Sequence, residues 1–137
     1  MRALAHSDMH LGAWTGDPVL AREPALAAVD AALEDVDELI LLGDVFDFLC
    51  SSVEYAFEQA DPFFELVQRR MQGRRVVFTA GNHDHHIVVR ALRTAVEEKV
   101  ATGSYPAEQP GFFHRFLERR LEGVETEIVM LAPAPVA

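Results

Sequence analysis

At 137 residues the chain has the length of one domain, and with 50% hydrophobic residues it can bury a core, which excludes a disordered segment. Its 22 acidic against 12 basic residues, a formal charge of −10, work against nucleic acid as a partner, because such affinity comes from clustered Lys and Arg. The single cysteine, Cys50, excludes an intramolecular disulfide and suits a reducing, cytoplasmic setting; the opening residues lack the apolar stretch of a signal peptide, and no run is long enough to span a bilayer.

In chain order, the first element is the short run Ala3-Leu4-Ala5, read as a strand. Residues 22–36 then place Leu26, Val29, Leu33 and Val36 at spacings of three and four, with Pro24 near the start, where a missing N–H costs little, and they predict a helix. A second strand follows over 38–43, ELILLG. Cys50, shortly after it, is assigned to core packing rather than to reactive chemistry. Segment 53–72 is helical but interrupted by Pro62, after which Phe63, Phe64, Leu66, Val67 and Met71 resume the stripe. These aromatics read as core, not as a ligand box. The third strand is RVVFTAG, residues 75–81. Helices are expected over about 84–101 and 112–121 and a final strand over 124–131, before the low-complexity tail APAPVA.

The three earlier runs are nearly continuous rather than alternating, the mark of strands covered on both faces. Strand alternating with helix calls for right-handed crossovers and a parallel sheet, so the fold class is α/β, a mostly parallel sheet flanked by helices, with 1–137 as one domain.

In such sheets ligands bind beyond the carboxyl ends of the strands. After the first run comes HSDMHLG, with Asp8 and His10 two apart, so that in extended backbone both face one spot. After the second comes GDVFD, where Gly43 lets the chain turn closely and Asp44 follows it, with Asp47 three further on. After the third comes GNHDHH. Each motif has a structural reading as turn or cap chemistry, and His85 and His86 are left with it. Three polar motifs at the same end of three successive strands point instead to a shared site. Mixed Asp, His and Asn donors suit divalent ions of intermediate hardness, Mn, Fe or Zn.

Asp8-x-His10, Gly43-Asp44-x-x-Asp47 and Gly81-Asn82-His83-Asp84, in that order, resemble the motifs of the calcineurin-like metallophosphoesterases. That resemblance implies an α/β/β/α sandwich around two metals, of which this chain carries the N-terminal half. It implies that Asp8 and His10 hold the first metal, that Asp44 bridges both, and that Asn82 binds the second. His83 would contact the phosphate and protonate the leaving group, with Asp47 orienting its ring. The implied reaction is hydrolysis of a phosphate mono- or diester by a metal-activated hydroxide, with cations ~3.5–4 Å apart bridged by a carboxylate. A small phosphate ester or nucleotide derivative is the expected substrate, the entrance being lined by residues 48–62.

The family pattern continues with a further His motif and a Gly-His-x-His motif, and neither is present. His114 stands in a helical context and is not counted as a ligand. One well-held ion is therefore expected for this chain, the second being held poorly, and the strand at 124–131 is expected to offer an unpaired edge through which the chain self-associates. A non-catalytic metal-binding or interaction remnant is the alternative function, and a nuclease of the same family is disfavoured by the charge.

Overall fold

The computed structural model describes residues 1–13, 19–85, 100–103 and 112–129. Strands β1 (Ala3–His6), β2 (Glu38–Leu42), β3 (Arg75–Thr79) and β4 (Glu125–Val129) form one sheet in that spatial order. All three pairings are parallel, with Leu4 beside Leu39, Leu39 beside Val76 and Phe78 beside Ile128. Helix α1 (Glu23–Ala32) connects β1 to β2, α2 (Val53–Arg70) connects β2 to β3, and α3 (Phe112–Arg120) precedes β4. This is the α/β architecture expected, a parallel sheet with flanking helices.

Register sets the core. Leu39 and Leu41 of β2 and Val76 and Phe78 of β3 share a face, and all four are buried. Onto that face pack Phe63, Phe64 and Val67 of α2 and Phe113, Phe116 and Leu117 of α3, together with Leu33 and Val36 beyond the end of α1. The stripe over 63–71 is thus core, as its spacing indicates. Cover on both faces does not extend across the sheet: Ala3 and Ala5 of β1 and Leu42 of β2 are exposed, and only β3 is buried at Val76, Val77 and Phe78 in succession. Short alanine runs carry too little apolar area to demand a second layer.

Several expected boundaries move. Pro62 does not interrupt the second helix, which runs unbroken from Val53 to Arg70. Proline there removes the N–H that would bond the Glu58 carbonyl, a cost of ~3 kcal/mol in a helix interior. Burying Phe63, Phe64, Leu66 and Val67 immediately beyond it contributes roughly 1.5–3 kcal/mol each, so packing wins. Consequently 53–62 belongs to the same helix as 63–70. Ser52 caps this helix, accepting from the Tyr55 N–H at 3.2 Å. The helix expected over 84–101 does not begin at Asp84, since residues 82–85 form a turn; of the remainder, 86–99, including His86, lie outside the described residues, as do residues 130–131 of the last strand and the tail. Cys50 is exposed rather than packed in the core, because it ends the turn 48–50 that leaves the sheet. Among the described residues β4 pairs only with β3, and no helix there is long and apolar enough to cross a membrane.

Candidate functional site

Beyond β1 and β2 the chain does not diverge. The Asp8 N–H donates to the Gly43 carbonyl at 3.3 Å, His10 N–H to Asp44 at 2.9 Å and Leu11 N–H to Val45 at 2.9 Å, while Asp47 N–H donates back to Leu11 at 2.9 Å. The parallel ladder therefore continues past both strand ends, with Leu11 bridged to Phe46. Phe46 anchors this double loop: it is fully buried, its ring 5.2 Å from Phe48, 5.3 Å from Phe57 and 5.7 Å from Phe64.

Asp8, His10 and Asp44 have φ of 56°, 46° and 49°, and among the described residues they are the only non-glycine positions with positive φ. A left-handed conformation costs an L-residue roughly 1–2 kcal/mol, and such strain collects at sites where side chains must be aimed. Here it aims three side chains together: one donor atom from each of Asp8, His10 and Asp44 lies within 4.8 Å of the others. Donors on opposite sides of an ion with bonds of ~2.0–2.2 Å are about 4.0–4.4 Å apart, close to that bound, so two carboxylates and an imidazole gathered here make a donor set suited to a divalent cation.

The loop after β3 is tied to the loop after β2 by two carboxylates. Asp44 Oδ1 accepts from the His83 N–H at 2.7 Å. In return Asp84, only 1% exposed, accepts from Val45 N–H at 2.8 Å and Phe46 N–H at 3.4 Å through Oδ2, and from Gly81 N–H at 2.6 Å through Oδ1. Backbones approach closely here. A Cβ on Gly43 would stand 2.9 Å from the Gly81 Cα, and one on Gly81 would overlap the Asp44 carboxylate. Sequence reasoning placed Asp84 inside the motif but gave it no role; its adjacency to Asn82 and His83 was the available signal.

The His83 and Asp47 side chains meet, with Nδ1 3.2 Å from Oδ1. The hydrogen bond to Asp47 raises the His83 pKa against the opposing effect of burial, helped by the charges of Asp47, Asp44 and Asp84. For Asp47 burial pushes upward, but the hydrogen bond and charge of His83 and the contacts from Cys50 outweigh it and hold the carboxyl below its ordinary value. The Cys50 N–H donates to Asp47 Oδ1 at 3.2 Å, and the Ser51 hydroxyl to the Asp47 carbonyl at 3.0 Å. Partial desolvation beside the loop and the Asp47 charge push the exposed Cys50 thiol up, away from reactive thiolate.

Asn82 is exposed in the turn directly before His83, and its carbonyl lies 2.8 Å from His85 Nδ1. The structure thus gathers Asp8, His10, Asp44, Asp47 and His83, and sets Asn82 at the rim of the same loops. His114 faces Glu118 one turn on, at 3.4 Å, on the surface of α3.

Compared with known families, residues 1–130 match the one described as calcineurin-like phosphoesterase. No curated protein matches the chain.

Proposed function

The chain belongs to the calcineurin-like phosphoesterase family, and from that premise we propose that it hydrolyses a small phosphate mono- or diester in a divalent-cation-dependent reaction. One observation carries the reading: three residues in left-handed conformations bring two carboxylates and an imidazole within 4.8 Å at the carboxyl end of a parallel sheet. Asp8, His10 and Asp44 would hold the first cation, and Asp44 with Asn82 would contribute to a second, from among Mn, Fe and Zn. When bound, such ions supply Lewis-acid stabilisation of charge on phosphoryl oxygens and lower the pKa of water.

The chain's own part is positioning and proton transfer. Asp47 is held anionic, and its Oδ1 fixes His83 through Nδ1. That leaves Nε2 of His83 to carry a proton toward the leaving-group oxygen, and the raised pKa keeps the ring protonated further up the pH scale. Asp44 orders the His83 backbone through the amide, so a residue that would help hold the cations also places the acid.

The test is hydrolysis of an aryl phosphate or diester by the full chain with Mn. Turnover should require the added metal and fall ~10²–10⁴-fold in His83→Ala. Metal binding with no turnover in the unmutated chain would assign it instead to the non-catalytic remnant reading.

A further inference from the structure

A second donor group stands beside the first. Asp47 reaches two imidazoles at once, Oδ1 lying 3.2 Å from His83 Nδ1 and Oδ2 3.7 Å from His10 Nδ1. The two rings meet edge to face, 4.5 Å between centroids and 89° between planes. One donor atom from each of His10, Asp47 and His83 lies within 4.8 Å of the other two.

These spacings differ from those of a tight His–Asp–His hydrogen-bond chain. The His83 contact is a hydrogen bond, while the His10 contact at 3.7 Å is too long for one, so Asp47 does not tie both rings. Neighbouring donors around a four-coordinate ion with bonds of ~2.0–2.2 Å are about 3.3–3.6 Å apart, and the two contacts, made to the two oxygens of one carboxylate, come close to that range. Burial has the matching asymmetry. The Asp47 side chain is 7% exposed, while those of His10 and His83 are 31% and 28% exposed, which leaves an open side for a fourth ligand.

We propose that His10, Asp47 and His83 form a separate site for a single borderline divalent ion of the zinc class, in competition with the Asp8–His10–Asp44 group. Two imidazoles and one carboxylate are the softer set, and two carboxylates with one imidazole the harder, so zinc is drawn to the former and manganese to the latter. Competition follows from His10. A neutral imidazole has one lone pair to give, its other nitrogen bearing the proton, so His10 serves one group at a time. An ion on the softer set occupies Nδ1 of His83 and the carboxylate that orients it, which makes zinc bound there an inhibitor of the turnover that an ion on Asp8, His10 and Asp44 would support; that last consequence alone rests on the phosphoesterase reading.

The experiment uses metal alone, with no ester, so its outcome is independent of hydrolysis. Metal-free full chain is titrated with Co²⁺ as the spectroscopic stand-in for zinc, then with Zn²⁺ as competitor. The expected result is the intense visible spectrum of four-coordinate cobalt, displaced by zinc, kept in Asp8→Ala and weakened roughly tenfold or more in affinity in His83→Ala. Should His83→Ala not fold, paramagnetic shifts of both the His10 and His83 ring protons in the unmutated chain decide the same question. Absence of the bands from the unmutated chain, their loss in Asp8→Ala, or shifts confined to His10 overturns the proposal.

Discussion

Asp44 and Asp84 hold each other's loops: Asp44 Oδ1 accepts the His83 N–H at 2.7 Å, and Asp84 Oδ2 accepts the Val45 N–H at 2.8 Å. The clasp ties the loop after β2 to the loop after β3, and each carboxylate sits in the sequence next to the amides the other receives.

Asp84→Asn tests the clasp. The carboxylate meets three backbone donors from two directions, and an amide can present its oxygen in only one direction, turning its NH2 toward the donors in the other. Hydrogen bonds to a charged group are worth about 1.5–3 kcal/mol each, so a loss of roughly 2–3 kcal/mol is expected in urea unfolding. Hydrogen exchange of the Val45 and Gly81 amides should accelerate in parallel. A change below about 0.5 kcal/mol, the scale of an ordinary surface substitution, would show that the clasp is incidental.

Gly81→Ala strikes the site through the loop that carries Asp44. The added methyl would overlap both the Asp44 carboxylate and the Asp44 backbone nitrogen, so the loop and its side chain must shift relative to Asp8 and His10. Manganese affinity by calorimetry should fall roughly tenfold or more while the circular dichroism spectrum is kept. Unchanged affinity would mean that Asp44 is not a ligand.

Phe46→Ala should do the reverse and strike the fold first. The ring is fully buried among five others, and emptying such a site costs about 3–5 kcal/mol. Against a usual stability of about 5–15 kcal/mol this leaves a marginal protein, visible as a large drop in Tm.

The tie between α1 and α2 sets a pH dependence. Arg70 grips Asp30 through Nε at 2.7 Å and a second nitrogen, with Arg69 at 3.1 Å, and the Asp30 carboxyl is lowered to about 2. Because the folded value lies below the ordinary carboxylate value, this stabilisation is present above the ordinary range and fades as pH falls through about 2. Asp30→Asn should therefore have a lower urea midpoint than the unmutated chain at neutral pH, and the gap should close on acidification. A gap that persists at the acid end points to lost packing instead.

Much of this was legible in the residues. The runs at 38–42 and 75–79 announce strands because β-branched and large aliphatic residues crowd there, and the glycines and carboxylates just beyond them mark where the sheet ends. What could not be read depends on partners distant in sequence. Nothing in Pro62 itself says that Phe63 and Phe64 will hold the helix straight, and nothing in Cys50 says that the turn will leave it in solvent. Asp84 reads as a motif's last letter, because two of its three amide partners, residues 45 and 46, reach it only once the strands lie side by side, and only the Gly81 amide is local. Left-handed backbone at Asp8, His10 and Asp44 is likewise imposed by the paired loops.

Those three positions also set the fold against the pocket. Glycine adopts their backbone angles without a steric penalty, so the side chains at 8, 10 and 44 are kept at a local cost of roughly 1–2 kcal/mol each. Relieving that cost with glycine would remove the very donors that the paired loops bring together.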